Sequence, residues 1–180
     1  MKKEVQYYYV HGLHSSKKAK KFRDIQIIYP NAICFDWTIY DSLDNKINEW
    51  VAIVKESKLE NVLIGSSTGG NLVCQMNELL HKSQNYPKII LVNPLLSLDQ
   101  VINKEIIPSE IVKYIQEIKP FSGSLIIIAD NDEVLNHELI NIDITKSNQI
   151  IISENDNHQL FKFKDYFNEI ENYITLPRNT

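Results

Sequence analysis

Short apolar runs recur along the chain, and longer amphipathic stretches lie between them. The runs cover residues 5–10, 32–35, 62–64, 89–92, 125–129 and 149–152. Several are continuous rather than alternating, which is how strands read when both faces of a parallel sheet are covered. The intervening stretches carry helical spacing. Residues 44–57 set Ile47, Trp50, Val51 and Val54 on one stripe, and residues 69–80 do the same with Leu72, Val73, Met76, Leu79 and Leu80. Residues 109–119 carry Ile111, Ile115 and Ile118 behind Pro108, and residues 161–174 carry Phe163, Tyr166, Phe167, Ile170 and Ile174. Strand and helix alternate, so the pattern predicts an α/β fold: a mostly parallel sheet of about six strands with helices on both faces. Ligands of such sheets sit beyond the carboxyl ends of the strands.

Composition narrows the picture. The chain has 180 residues, 43% hydrophobic and 23% charged, with a formal net charge of −4. That length fits a single domain over residues 1–180 with enough buried surface to need neither disulfide nor metal. No apolar tract approaches the ~20 residues of a membrane span, and the start MKKEVQYYYV is too polar for a signal-peptide core. A mildly acidic chain argues against a nucleic-acid partner. Lys17, Lys18, Lys20 and Lys21 read as a solvated helix face. Cys34 and Cys74 lack ligand spacing and read as buried free thiols, expected of a cytoplasmic protein. Glycine is scarce: five in the chain, of which Gly65, Gly69 and Gly70 fall within six residues.

That cluster opens the chemistry. Gly65-Ser66-Ser67-Thr68-Gly69-Gly70 follows the third run and precedes an amphipathic stretch, matching G-x-S-x-G centred on Ser67. A nucleophilic serine on a sharp strand-to-helix turn needs neighbours without side chains two residues before and two after. The turn aims a helix N-terminus at the site, so the Thr68 amide can face a developing oxyanion. A phosphate loop is the rival reading, but neither G-x-G-x-x-G nor a terminal Gly-Lys-Ser/Thr is present. After the first run, His11-Gly12 ends a strand where a second oxyanion donor is expected, the backbone amide of Leu13. His11 and His14 have no further ligands nearby in sequence to make a metal site.

A serine hydroxyl needs a base, and the base needs a carboxylate to fix its tautomer. Asp130-Asn131-Asp132 follows the fifth run and Asn155-Asp156-Asn157-His158 the sixth. Serine, acid and histidine therefore arrive in the order expected of α/β-hydrolases, each just past a strand end. Asp132 is favoured over Asp130, which would more naturally end the strand or cap the turn. His81 and His137 read as exposed residues without a role.

These motifs resemble those of the YqiA-like esterases, small bacterial α/β-hydrolases. The similar stretches are YYYVHGLHSS (7–16), IGSSTGGNL (64–72), LVNP (91–94), DEVL (132–135) and NHQLFKFKDYFNEIENYI (157–174), in order along nearly the whole chain. The resemblance implies a compact α/β-hydrolase fold, and the shortness of the segment 95–120 excludes a large lid. The resemblance also implies cofactor-free hydrolysis of small carboxylic or thio esters by Ser67, with His158 as base and Asp132 as the orienting acid. Thr68, Asn71 and His14 depart from the family pattern, and all three bear on the shape of the substrate pocket rather than on the catalytic groups.

The expected reaction is two-step acyl transfer through an acyl-enzyme, with the oxyanion held by the amides of Leu13 and Thr68. The leucine- and isoleucine-rich segment 95–120 is either a small cap over the acyl group or plain packing over the sheet. The alternative of another class is a catalytically silent module of the same fold that binds a ligand or a protein.

Overall fold

The computed structural model describes residues 4–177. Six strands form one sheet: β1 (Val5–Val10), β2 (Ile33–Phe35), β3 (Glu60–Ser66), β4 (Lys88–Val92), β5 (Leu125–Ala129) and β6 (Gln149–Ser153). All pair in parallel in the order β2-β1-β3-β4-β5-β6. Register runs straight across the middle, with Tyr9 opposite Ile64 and Ile64 opposite Ile90. The chain leaves β1 toward one edge and returns to build β3 on its other side. The loops after β1 and β3 therefore diverge, and a crevice opens where the strand order reverses.

The helices are α1 (Lys20–Ile28), α2 (Leu43–Glu56), α3 (Thr68–His81), α4 (Ser109–Val112), α5 (Ile142–Ser147) and α6 (Phe167–Thr175). Successive strand residues point to opposite faces, and here both faces are apolar. Tyr8, Val10, Leu63, Leu91 and Ile126 pack with Ile47, Trp50 and Val54 of α2 and Leu72 and Met76 of α3. Tyr7, Tyr9, Val62, Ile64 and Ile90 pack on the other side with Phe22 and Ile25 of α1 and Ile170 and Tyr173 of α6. This double burial is the physical origin of the continuous apolar runs.

Two expected helices come out differently. Of 109–119, only Ser109–Val112 is helical. Beyond it the backbone bonds to α3 instead: Gln75 Nε2 donates to the Tyr114 carbonyl, and Asn71 Nδ2 to the Gln116 carbonyl, while Asn71 Oδ1 accepts from the Gln116 amide. Tertiary hydrogen bonds replace the helical ones, overriding local periodicity. Of 161–174, residues Phe163–Tyr166 form a 3-10 turn before α6 begins. The Asp156 carboxylate takes the amides of Phe161 and Lys162, holding that stretch out of the helix.

The segment 95–120 packs in part over the sheet and in part faces solvent. Leu95, Leu96, Val101, Ile111 and Ile115 are buried in the core, while Ile102 and Ile106 are 59% and 38% exposed. Among the described residues, no large lid covers the sheet. Among the described residues, no helix is long and apolar enough to cross a membrane. Cys74 is buried and Cys34 partly so, both unpaired, and burial pushes each thiol up to about 12.

Candidate active site

The turn between β3 and α3 is shaped by backbone packed on backbone. A Cβ at Gly65 would lie 2.6 Å from the Gly69 carbonyl oxygen, and one at Gly69 would lie 2.2 Å from the Val10 carbonyl oxygen. No side chain fits at either position, which is the steric demand expected of G-x-S-x-G. A Cβ at Gly70 would meet Pro94 at 2.9 Å. Ser67 itself sits at φ 53°, ψ −123°, a strained conformation for a residue with a side chain, costing about 1–3 kcal/mol. It is held there by its amide donating to the Val92 carbonyl and its carbonyl accepting from the Gly70 and Leu95 amides.

A serine before a helix commonly caps it with its hydroxyl. Ser67 makes no such cap. Its Oγ lies 2.9 Å from His158 Nε2 instead. On the far side of the ring, His158 Nδ1 lies 2.8 Å from Asp132 Oδ2 and 2.9 Å from Oδ1. Three residues from three loops, each just past a strand's carboxyl end, thus form one hydrogen-bonded chain. Asp132 is only 2% exposed at its side chain. Burial by itself would raise its pKa. The hydrogen bonds from His137 and His158, the charge of His158 and the Leu135 amide outweigh burial and hold the carboxyl well below the usual carboxylate range.

The loop after β1 faces Ser67. A Cβ at Gly12 would lie 3.0 Å from Ser67 Cβ and 3.6 Å from its Oγ. Among the described residues, no turn or loop carbonyl takes up the amide of the next residue, Leu13, or that of Thr68. His11 buttresses this loop rather than binding a ligand. Its buried ring stacks on Trp37, Nδ1 donates to the Gly12 carbonyl at 2.8 Å, and Nε2 lies 2.9 Å from Asp36 Oδ1. The Trp37 indole N–H returns a bond to the His11 carbonyl. His14 is exposed at φ 56°.

Around these groups lies a set of polar contacts that the sequence did not reveal. Buried Asn93 accepts from the Ala129 amide with Oδ1 and donates with Nδ2 to the Asn157 and His158 carbonyls, tying the end of β5 to the histidine loop. Asp130 accepts from the Asn155 and Asp156 amides, so it splices the two loops and does not touch the histidine. The Asn155 amide bond, with those of Asp156 and Asn131, lowers the Asp130 pKa. Glu133 accepts from the His158 amide.

Two readings of the sequence are corrected here. His137 is not an exposed bystander: its side chain is 8% exposed, and its Nε2 lies 2.8 Å from Asp132 Oδ2. The cause is the path of its loop, which pairs Val101 with Leu135 and bonds the Asn136 amide to the Gln100 carbonyl, turning the ring inward. Lys21 is partly buried rather than a member of a solvated face, because α1 packs against the 3-10 turn before α6. Burial lowers its pKa to about 8 against the pull of Asp156. His81 is exposed, as expected.

A depression of about 310 Å³ lies beside the histidine loop, lined by Asn131, Asn155, Asp156, Asn157 and Phe161. A groove of about 350 Å³ lies elsewhere, between α2 and α3, and Ser67 does not line it.

No protein-family model matches the chain, and no curated protein matches it by sequence. Solved structures do. The ydeN gene product of B. subtilis superposes with a TM-score of 0.73 at 14% identity, covering 96% of this chain and 100% of its own. A protein described as a hydrolase of the alpha/beta superfamily from Xanthomonas campestris pv. campestris gives 0.68 at 17% identity, covering 94% and 99%. A monoacylglycerol lipase of Paleococcus ferrophilus gives 0.68 at 14% identity, covering 94% and 93%. At these identities the likeness speaks for architecture: the chain has the α/β-hydrolase fold.

Proposed function

We propose that this protein is a serine hydrolase of the esterase or thioesterase type, a single α/β-hydrolase domain acting on small acyl esters without a cofactor. The observation that carries the reading is the unbroken chain from Ser67 Oγ to His158 Nε2 and from His158 Nδ1 to Asp132, at 2.9 and 2.8 Å. The Ser67 oxygen attacks the acyl carbonyl as His158 takes its proton, and Asp132 holds the ring with Nδ1–H turned away from the serine. Charge collects on the carbonyl oxygen, where the Leu13 and Thr68 amides donate to it; each such donor contributes on the order of 3 kcal/mol. His158 then protonates the leaving alcohol or thiol. Water, deprotonated by the same ring, releases the acyl group from Ser67.

Several features support this. The strain at Ser67 is of the kind that concentrates at functional sites, and the hydroxyl forgoes a helix cap to face the ring. The lipase among the structural neighbours fits an ester substrate, as does the resemblance to YqiA-like esterases. The two unpaired thiols fit a cytoplasmic location.

A fluorophosphonate probe tests the reading. Ser67 is expected to be labelled, and Ser67→Ala to lose both labelling and hydrolysis of short acyl esters. An unlabelled wild-type protein, beside a labelled control hydrolase, would leave the fold as a silent binding module.

A further inference from the structure

The Asp132 carboxylate serves two histidines. Oδ1 accepts from the Val134 and Leu135 amides at 2.9 and 2.8 Å. Oδ2 lies 2.8 Å from His158 Nδ1 and 2.8 Å from His137 Nε2. An ionised carboxylate only accepts, so both facing ring nitrogens carry hydrogen. His137 is therefore protonated at Nε2. Its Nδ1 is buried with no partner among the described residues. Leaving a buried ring nitrogen unpaired is costly, and a residue whose work was only to fill space would not need one. The ring is oriented by its single bond to Asp132.

We propose that His137 is a positioning residue of the site: its Nε2–H clamps Oδ2 so that the carboxylate presents one fixed edge to His158 Nδ1. The two amides on Oδ1 hold one oxygen from the Asp132 loop itself, and the bond from His137 holds the other, so both oxygens of the edge that faces His158 Nδ1 are fixed. His158 cannot do this alone, because its ring must tilt between Ser67 and the leaving group during the reaction. His137 sits on the opposite, static side. Its turn, His137–Leu139, is capped by the Asn136 side chain, and the Ile102 amide bonds to the Val134 carbonyl, so the loop is pinned to the segment over the sheet. The inference rests on the triad reading given above.

The test compares two substitutions. Glutamine places its amide nitrogen where Nε2 lies, whereas asparagine reaches only the position of Nδ1. The second-order rate of fluorophosphonate labelling of Ser67 is expected to fall about tenfold in His137→Asn, the loss of one hydrogen bond to a charged group, and to return within about threefold of wild type in His137→Gln. For ester hydrolysis the fall is expected in kcat, with KM changed less than about twofold. Equal labelling rates in the two variants, whether fast or slow, would overturn the proposal. In the unmutated protein, 15N spectra of labelled histidine are expected to report the Nε2–H form at His137, and an Nδ1–H form would also overturn it. If the wild-type protein is not labelled at all, the triad reading fails; if it is labelled and His137→Asn labels equally fast, only the role of His137 fails.

Discussion

The turn at residues 65–70 is held by backbone packed on backbone, whereas the loops at 130–137 and 153–162 are held by side chains gathering backbone amides. At the turn, carbonyl oxygens of Val10, His11 and Gly69 stand where Cβ atoms would otherwise be. In the loops, Asp130, Asp132 and Asp156 each accept at least two amides. Steric exclusion has no partial form, so the serine side should fail abruptly on substitution. Hydrogen bonds are lost one at a time, so the aspartate and histidine loops should fail in steps.

Gly69→Ala is the hardest test of that contrast. Its methyl would fall 2.2 Å from the Val10 oxygen and 2.5 Å from that of His11, both backbone atoms that cannot swing aside. A loss of several kcal/mol in stability (~3–5) and background-level labelling of Ser67 are expected, read by urea melts and the fluorophosphonate probe. Labelling at the wild-type rate would show that the turn has slack.

Asp132→Asn comes next. It keeps the shape but offers an amide N–H where a histidine N–H must be accepted, and kcat is expected to fall about 10³–10⁴-fold. Its effect on stability has a defined sign. The folded-state pKa of Asp132 is depressed, so its ionised form stabilises the fold above the ordinary carboxylate range, and that contribution is lost as pH falls below about 4. Denaturant melts should find Asp132→Asn weaker than wild type at pH 7, with the gap closing in acid. A gap that stays constant down to acid pH would mean that Asp132 is not ionised by its partners.

A smaller step is expected from Asp130→Ala, which releases the Asn155 and Asp156 amides without touching the ring. A fall of about fivefold in kcat/KM, the equivalent of about one net hydrogen bond, would place Asp130 among the supports of the histidine loop. A loss as large as that of Asp132→Asn would erase the distinction between the two aspartates.

The smallest effect on activity belongs to Lys21→Met, expected within about twofold of wild type, because the amine is no part of the hydrogen-bonded chain. Stability should rise. Burial lowers the Lys21 pKa to about 8, so the folded state carries a penalty that is complete below that pH and eases as pH climbs toward the ordinary lysine value. Melts at pH 7 and pH 10 should find the gain of Lys21→Met larger at pH 7. The reverse order would mean that Asp156 and Asp132 make the ammonium a favourable partner.

The same contrast explains what could be read from the sequence. The strands were legible because both faces of the sheet are covered, leaving no polar residue to break runs such as Leu125–Ala129. Gly65 and Gly69 were legible because a steric demand permits one residue type only. The aspartates could be ranked because Asp130 leaves the strand directly, where capping is the simpler task. His137 was illegible: its ring is brought to Asp132 by the pairing of Val101 with Leu135, a contact no local pattern announces. Asn71 and Gln75 lie four residues apart on an apolar helix, and nothing in that spacing says that both reach the backbone near Tyr114 and Gln116 and stop a helix there. Side-chain bonds to distant backbone leave no period in the chain.

The hydrogen bond between Ser67 and His158 spans 91 residues. Between them lie three more strands of the sheet, each of which must take its register from the one before. Contacts so far apart in sequence are slow to form. That hydrogen bond is therefore a clock as well as a contact: it reports the moment at which the last strand has found its place.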